Sequence, residues 1–288
     1  MVAIAKIPGC SAAEMTEVPS ASPFVKWAGG KRRLMAQYER FIPKTYRCYH
    51  EPFVGGGAFF FHLQPSLAVL SDINRRLIDT YQAIRDDLEC VLERLAYHRQ
   101  KHNKEYFYEC REQFNKGDLL LKTDRAALMI YLNKTCFNGL YRENQKGYFN
   151  VPMGKYKSPS IFDPLNLAKV SGILQNVEIR LAGYQQVLER AVSGDFVYFD
   201  PPYAPLSATS NFTQYNKSGF GKEEQERLAD IFGQLVRRGC YVMLSNSNSE
   251  HIRDLYSQWR IEEVSTARSI NSKAKRRGKI KELLVMGY

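Results

Sequence analysis

The chain has 288 residues, of which 44% are hydrophobic and 25% are charged, as in globular proteins that bury one substantial core. No apolar run approaches the roughly 20 residues needed to cross a bilayer, and residues 1–22 lack the apolar segment of a secretion signal. Lysine and arginine number 41 against 30 acidic residues, a formal net charge of +11, which favours a polyanionic partner such as nucleic acid.

These counts predict a cytoplasmic protein with no membrane partner, whose residues 1–22 form a flexible extension. The six cysteines and five histidines form neither a CxxC pair nor a Cys/His cluster. Scattered cysteines in a chain of this size are typical of reduced thiols in a cytosolic setting. We therefore expect no metal cofactor.

Apolar runs of strand length alternate with helical patterns along most of the chain. In chain order, the predicted strands are 48–55, 67–74, 177–183, 195–200, 240–246, 261–266 and 282–288, with helices near 75–96, after 183, near 222–238 and after 246. This alternation predicts an α/β fold with a mainly parallel sheet and helices on both faces. Only a basic stretch separates the last two strands, so we expect them to pair antiparallel.

Residues 86–163 interrupt the alternation with polar helical sequence as far as residue 135, followed by sequence rich in Asn, Gly and Pro. We predict an inserted, mainly helical domain there, between the two parts of the α/β domain at 23–85 and 164–288. Within the insert, 131–157 interleaves five basic residues with six aromatic ones, and 268–281 near the end of the chain carries seven basic residues and no acid. Together these two stretches could line a groove for a polyanion.

A glycine-rich turn follows the first predicted strand, in the sequence EPFVGGGAFFF at 51–61. Gly55 and Gly57 match the first two positions of a dinucleotide fingerprint, but Phe60 stands at the third. A turn of this kind suits a nucleoside without phosphates. Asp72 ends the next strand, where its carboxylate could accept hydrogen bonds from ribose hydroxyls. A tight turn and a helix cap are the ordinary alternatives for these two features.

The strand DFVYFD at 195–200 runs directly into Pro201, Pro202 and Tyr203. Two prolines fix the direction of the backbone carbonyls. A planar exocyclic amine could then donate one hydrogen to Asp200 and the other to the Pro201 carbonyl while Tyr203 stacks on its ring. Donating both hydrogens frees the lone pair of the nitrogen to attack an electrophilic methyl group. A simple Asp/Pro turn is the alternative interpretation.

With these motifs in order, the chain from Phe24 to its end resembles the Dam-type adenine-specific DNA methyltransferases. The matching stretches are KWAGGK (26–31), EPFVGGGAF (51–59), SDIN (71–74), YLNKTCFNGLYRENQKGYFNVPMGKYK (131–157) and DPPYAPLSATSNFTQYN (200–216). Glycine loop, inserted domain and DPPY in this order form the alpha arrangement of these enzymes. The resemblance implies a class I S-adenosylmethionine-dependent methyltransferase fold, with a Rossmann-like mixed sheet and an inserted DNA-recognition domain.

The resemblance also implies the residues of the active site. Asp200, Pro201, Pro202 and Tyr203 would be catalytic, and S-adenosylmethionine would contact Trp27, Lys31, Phe53, Gly55, Gly57, Asp72 and Asp200. A sulfonium is cationic, so aromatic and carboxylate walls suit it. The product of this cofactor would be S-adenosylhomocysteine.

The partner implied by the resemblance is double-stranded DNA, with GATC as the site and adenine N6 as the methylated atom. The residues that would read the DNA are Lys26, Phe137, Asn138, Leu140, Arg142, Pro152 and Tyr156. Arg142 could bond guanine O6 and N7 together. Phe137 stands where the family often has a tyrosine that wedges between bases, which helps because the target adenine must leave the stack.

Other basic residues are better interpreted as phosphate contacts, namely Lys134, Lys155, Lys157 and the cluster at 273–281. The small, polar segment 205–221 could close over the flipped base as a lid. Two alternatives remain: a related enzyme that methylates cytosine N4 or RNA, and a DNA-binding homologue that has lost activity. A monomer is the default expectation.

Overall fold

The computed structural model describes residues 20–29, 31, 34–117, 120–205, 220–267 and 279–288. Most of the predicted lid at 205–221 and of the basic stretch at 268–281 lies outside these residues. No described helix is long and apolar enough to cross a lipid bilayer.

The described strands form one sheet. They are β1 (Tyr49–Glu51), β2 (Ala68–Asp72), β3 (Val177–Leu181), β4 (Phe196–Phe199), β5 (Tyr241–Ser247), β6 (Arg260–Ala267) and β7 (Lys279–Met286). Their spatial order is β3-β2-β1-β4-β5-β7-β6. Strand β7 is antiparallel to both of its neighbours, and the remaining pairs are parallel. The predicted α/β fold and the antiparallel pairing of the last two strands are confirmed, and the mixed sheet is the Rossmann-like class I architecture that the resemblance implied.

Strand β1 lies between β2 and β4, although β4 comes much later in the chain. From β1 the chain continues to β2 and β3 on one side of the sheet, and it later returns to β4 on the other side of β1. The strand order therefore reverses between β1 and β4. In open α/β sheets, ligands bind in the crevice at the carboxyl ends of the strands at such a reversal. The glycine turn follows β1 and the DPPY sequence follows β4, so both predicted motifs meet at this crevice.

Helices cover both faces of the sheet. The described α-helices are α1 (Met35–Tyr38), α2 (Ala58–Leu63), α3 (Arg75–Asp86), α4 (Leu88–Lys101), α5 (Lys104–Lys116), α6 (Lys122–Thr135), α7 (Pro164–Leu174), α8 (Lys222–Arg237) and α9 (Glu250–Leu255). Strand β4 shows how the two faces differ. Phe196 and Tyr198 join one buried cluster and Val197 and Phe199 join the other, because successive side chains of a strand point to opposite faces.

Helices α4, α5 and α6, which lie in the predicted insert, share a core with the sheet. Leu95 of α4, Phe107 of α5 and Leu128 of α6 belong to the same buried cluster as Phe196 of β4. Helix α6 lies against α3, α4 and α5, so most of its residues are buried. The insert is thereby fixed to the sheet by apolar packing, which also fixes the segment that follows α6.

The helical stretch predicted near 75–96 is two helices, separated at Asp87. This residue has φ −152° and ψ 64°, and its carboxylate caps α4 by accepting a hydrogen bond from the Cys90 N–H at 3.3 Å. Neither proline nor glycine marks the break, which is why the periodicity predicted one continuous helix.

The amino end of β4 is fixed by a buried carboxylate. Asp195 accepts hydrogen bonds from Arg47 Nε at 2.8 Å and from the backbone N–H of Val192 at 3.0 Å, and its Oδ2 lies 2.9 Å from His50 Nε2. Burial opposes ionisation of Asp195, but these hydrogen bonds outweigh it and lower its pKa. The contacts join the start of β4 to β1 at the end of the strands opposite the crevice, so they fix the relative position of the two strands that border it.

Candidate active site and nucleic-acid interface

A continuous open cleft of about 2200 Å³ follows the carboxyl ends of β1, β2 and β4 and reaches the segment after α6. The predicted site residues that line it are Trp27, Lys31, Phe53, Gly55, Gly57, Asp72, Leu140, Arg142, Asp200, Pro201, Pro202 and Tyr203. All the residues proposed for catalysis and for the cofactor thus surround one space. Of the residues proposed to read DNA, Leu140 and Arg142 share it, whereas Lys26, Phe137, Asn138, Pro152 and Tyr156 lie outside its lining.

The glycine turn is shaped by two aromatic side chains of the protein itself. Gly57 has φ +66°, and a Cβ at this position would lie 2.6 Å from Tyr81 Oη. A Cβ at Gly55 would lie 2.7 Å from Trp27 Cδ1, and Tyr81 Oη donates a hydrogen bond to the Gly55 carbonyl at 3.1 Å. The turn therefore needs glycine for its backbone conformation and for its close packing, in addition to any approach by a ligand.

Asp72 faces this turn. Its Oδ2 accepts a hydrogen bond from the Gly55 N–H at 3.1 Å and its Oδ1 accepts one from the Asn74 N–H at 2.9 Å. Burial raises the pKa of Asp72, and these backbone donors partly oppose that rise. Asn74 itself caps α3 by accepting a hydrogen bond from the Leu77 N–H, so Asp72 is not the helix cap.

A second carboxyl group, at Glu51, ends β1 in the wall of the cleft. It is 3% exposed and accepts a hydrogen bond from the Tyr49 hydroxyl at 2.8 Å. Burial, the largest effect, and the negative charge of Asp200 raise the pKa of Glu51 to about 8. Glu51 is therefore mainly protonated at neutral pH. Sequence reasoning did not single out this residue, because a carboxyl group at a strand end gives no sign of its burial.

Asp200 follows β4 and is held through one oxygen. Ser245 Oγ donates a hydrogen bond to Oδ1 at 2.8 Å, and the Lys31 ammonium lies 3.0 Å from the same atom. Among the described residues both contacts use Oδ1, so within this part of the chain Oδ2 is able to accept a hydrogen bond from a ligand. Lys31 is 4% exposed, so its ammonium group is fixed beside the carboxylate.

Two buried amides hold the turn after Asp200. Gln225 of α8 donates from Nε2 to the Pro202 carbonyl at 2.9 Å, and Asn246 of β5 donates from Nδ2 to Gln225 Oε1 at 3.0 Å. Asn246 Oδ1 also accepts the Ala204 N–H at 3.2 Å. The direction of the DPPY backbone is thus fixed by hydrogen bonds as well as by the proline rings.

The segment after α6 forms a hairpin, which we call the recognition hairpin (residues 136–153). Isolated antiparallel bridges join Cys136 to Met153 and Glu143 to Phe149. Phe137 starts the 3₁₀ turn Phe137–Gly139 and is 49% exposed. Its backbone N–H donates to the Pro152 carbonyl at 2.8 Å, which closes the base of the hairpin and presents the Phe137 ring to solvent.

The polar residues proposed to read DNA, namely Lys26, Asn138, Arg142 and Tyr156, are exposed to solvent. Arg142 is exposed, and its Nε donates to Asn150 Oδ1 at 2.7 Å, which orients the guanidinium. The Lys26 ammonium lies 3.4 Å from Tyr156 Oη and 4.7 Å from the centre of that ring. Asn138 has φ +55°, a left-handed conformation that asparagine tolerates better than most residues.

A comparison with known families decides what this arrangement belongs to. Residues 27–270 match the model of the D12 class N6 adenine-specific DNA methyltransferases. The chain belongs to this family. It is an adenine-specific DNA methyltransferase, as the glycine turn, the DPPY sequence and their order predicted.

Individual relatives of this D12 methyltransferase cover nearly the whole chain. A "Type II methyltransferase M1.LlaDCHI" of Lactococcus lactis subsp. cremoris is 43% identical over 92% of this chain and 95% of its own length. A "Type II methyltransferase M.MjaIII" of Methanocaldococcus jannaschii is 43% identical over 92% and 99%. A "DNA adenine methylase" of Escherichia coli is 39% identical over 91% and 94%.

In this methyltransferase, one buried asparagine joins the recognition hairpin to the chain at Lys26, near the start of the α/β domain predicted at 23–85. Asn133 of α6 is 1% exposed. It accepts the Lys26 N–H at 2.7 Å and donates to the carbonyls of Lys26 at 2.8 Å and Gly139 at 3.0 Å. Asn133 lies inside the motif YLNK, but nothing in a single sequence separates it from an exposed polar residue of a helix.

A second link joins the hairpin to Trp27, one of the residues predicted to hold the cofactor. The Tyr141 ring stacks on Trp27 with centres 5.3 Å apart and planes at 24°. The Tyr141 hydroxyl donates to Glu143, and Arg76 of α3 donates to the same carboxylate at 3.2 Å. Arg142 lies between Tyr141 and Glu143 in the chain, so these contacts with Trp27 and Arg76 hold the segment that carries it.

Proposed function

We propose that this methyltransferase acts as a monomer on double-stranded DNA, using S-adenosylmethionine to methylate adenine N6 within GATC after the base has turned out of the helix. The observation that carries the proposal is that the Asp200 corner, the glycine turn and the recognition hairpin border one cleft. The reaction requires three parts, and these features would supply them: the Asp200 corner accepts hydrogen bonds from the amine, the glycine turn binds the nucleoside of the cofactor, and the basic hairpin binds the DNA.

The cofactor side of the cleft has the chemistry to hold S-adenosylmethionine. Each oxygen of Asp72 receives one backbone N–H and retains a lone pair for ribose hydroxyls. Trp27 borders the turn, and its ring face suits a cation. When bound, S-adenosylmethionine supplies a methyl group activated by its positive sulfur. The residues proposed to hold it are Trp27, Lys31, Phe53, Gly55, Gly57, Asp72 and Asp200.

The Asp200 corner would activate the target amine. Asp200 Oδ2 and the Pro201 carbonyl accept one N–H each, and Tyr203 stacks on the base. Because both hydrogens of the amine are then engaged, the nitrogen lone pair is freed from the ring and points toward the methyl group. Asp200 serves as an acceptor and not as a strong base, since the nitrogen becomes acidic only after methylation and its proton can leave to water.

The recognition hairpin would supply DNA contacts on the other side of the cleft. Extruding a base costs a few kcal/mol of stacking and pairing, and the half-exposed ring of Phe137 can stack in the space that the base leaves. Lacking a hydroxyl, it offers no hydrogen bond there. Arg142 has the donor geometry for guanine, and the neighbouring lysines have the charge for phosphates.

The proposal is tested by methyl transfer to duplexes that differ in one site. Wild-type protein is incubated with radiolabelled S-adenosylmethionine and duplexes containing GATC, CATG or no adenine. We expect label on the GATC duplex alone, recovered as N6-methyladenine, and no transfer by Asp200→Ala. Label on cytosine, or full turnover by Asp200→Ala, would refute the assignment, and equal transfer to CATG would refute GATC.

Arg142 gives a test of how the site is read. Arg142→Ala should lose about 1–3 kcal/mol of discrimination at one guanine, measured as the ratio of kcat/KM for GATC to that for duplexes with a substituted guanine. Lys157→Ala is the control, because a phosphate contact should weaken every sequence alike. If Arg142→Ala also weakened all duplexes equally, Arg142 would be a phosphate contact.

A further inference from the structure

The catalytic carboxylate belongs to a compact group of charges that includes a residue from the far end of the chain. The Lys31 ammonium lies 3.0 Å from Asp200 Oδ1, 3.8 Å from Glu282 Oε2 and 4.5 Å from the centre of the Tyr203 ring. It also donates to the Gly29 carbonyl at 2.9 Å. Lys31 is therefore enclosed between two carboxylates and an aromatic face.

Glu282 reaches this group from β7. Its position in the sheet is fixed, because it pairs with Ser247 of β5 and with Val264 of β6. Its side chain is 15% exposed, and its Oε2 accepts a hydrogen bond from the Tyr203 hydroxyl at 2.8 Å. One carboxylate thus contacts both the lysine beside Asp200 and the aromatic ring of the DPPY sequence.

The formal charges of this group decide how Asp200 can act. Lys31 and Asp200 alone sum to zero, so the lysine would cancel the charge that attracts the amine. With Glu282 the group carries a net charge of −1. During transfer, the nitrogen lone pair forms the N–C bond while the C–S bond breaks and leaves its electron pair on sulfur. The positive charge then lies on the nitrogen until a proton leaves to water, so a net negative group beside the nitrogen stabilises this step.

We propose that Glu282 is a positioning residue for methyl transfer, acting through Lys31 and Tyr203. Its carboxylate partly neutralises the positive charge of Lys31, so that Asp200 keeps the negative charge that attracts the amine. Its hydrogen bond to the Tyr203 hydroxyl holds that ring in the plane on which the base stacks. The inference rests on the proposed function, since it assigns these residues to the amine side of the reaction.

The test is Glu282→Gln, which keeps the shape of the side chain and an acceptor oxygen for Tyr203 but removes the charge. Single-turnover transfer should slow by about 10- to 100-fold, less than the about 100- to 1000-fold lost when a group that touches the reacting atoms is removed, because Glu282 acts through Lys31 and Tyr203. Affinities for the DNA duplex and for S-adenosylhomocysteine, measured by calorimetry, should stay within about twofold, because the change acts on the transition state. Glu262→Gln is the matched control on the neighbouring strand, where the carboxylate pairs with a surface arginine.

A double-mutant cycle separates this role from a merely structural one. In the Lys31→Met background, Glu282→Gln should slow transfer by less than about threefold, because the charge through which it acts is gone. Tyr203→Phe removes the hydroxyl contact and leaves Glu282 in its strand, and it should slow transfer by about three- to tenfold. This variant keeps the test decisive if Glu282→Gln lowers stability.

Two results would overturn the inference while the proposed function stands: wild-type protein transfers methyl groups and Glu282→Gln is as fast within twofold, or the Lys31 and Glu282 effects multiply. A loss confined to DNA or S-adenosylhomocysteine affinity would overturn it as well. Wild-type protein that transfers no methyl group to any adenine duplex would instead refute the proposed function itself.

Discussion

Replacing Glu51 by glutamine should remove a large part of the pH dependence of folding stability. In the unfolded chain this carboxyl group ionises near its ordinary pKa of 4.5, whereas in the folded protein burial keeps it protonated up to about pH 8. Between these values the folded state holds one more proton than the unfolded state. The contribution of Glu51 to the free energy of unfolding is therefore fully present below about pH 4.5 and is lost as the pH rises toward about 8.

The magnitude follows from the two pKa values. One pKa unit corresponds to about 1.4 kcal/mol, so the interval from 4.5 to about 8 corresponds to about 5 kcal/mol at most. Over the two pH units from about 5.5 to about 7.5, the free energy of unfolding of the wild type should fall by about 3 kcal/mol relative to that of Glu51→Gln.

Urea unfolding of both proteins at several pH values measures this difference directly. Other titrating groups, such as His50, whose pKa is lowered by burial, are common to both proteins and cancel in the difference. Glu93→Gln, on the exposed surface of α4, is the control and should show a difference that does not change with pH. If the difference in the free energy of unfolding between the wild type and Glu51→Gln also does not change with pH, Glu51 ionises in the folded protein as it does in the unfolded chain, and the argument from burial is wrong.

Three further substitutions test how the site is held. Asn133→Leu removes three hydrogen bonds to the backbone around the recognition hairpin, so DNA affinity should fall at least about tenfold. The affinity for S-adenosylhomocysteine, measured by calorimetry, should not change. An unchanged DNA affinity would contradict this expectation. Gly57→Ala places a methyl group 2.6 Å from Tyr81 Oη, so both Tm and S-adenosylhomocysteine affinity should fall, and an unchanged Tm would show that the turn relaxes freely. Gln225→Ala removes the side chain that donates to the Pro202 carbonyl, so single-turnover transfer should slow about tenfold. Gln234→Ala, on the exposed face of α8, is the control and should transfer at the wild-type rate. Equal rates for the two variants would show that Gln225 does not support the site.

Local patterns predicted the parts of the molecule that depend on neighbouring residues. The alternation of strands and helices, the glycine turn after β1 and the Asp200 corner are each written in a few consecutive residues. The break at Asp87 was missed because that residue carries no strong helix-breaking signal. These cases show that the sequence specified element types better than their ends.

Contacts between distant segments could not be predicted from one sequence. Ser245 reaches Asp200, and Glu282 reaches the Lys31 ammonium beside it, only because β5 lies next to β4 and β7 lies next to β5 in the sheet. One signal was available: the apolar strand β5 ends in Ser245, Asn246 and Ser247, and all three are buried. A polar run at the carboxyl end of a strand with an otherwise apolar sequence indicates side chains that serve a neighbouring loop.

The position of β4 beside β1 also has a consequence for synthesis of the chain. Tyr49 pairs with Phe196, so roughly 150 further residues must be synthesised before the partner of β1 leaves the ribosome, which takes about 7–30 s at ordinary elongation rates. During that time β1 of the nascent polypeptide has an unpaired edge, and unpaired strand edges promote aggregation. Assembly of the cleft around Asp200 is therefore a late event. Truncated translation products that end within the predicted insert contain the glycine turn after β1 but lack Asp200.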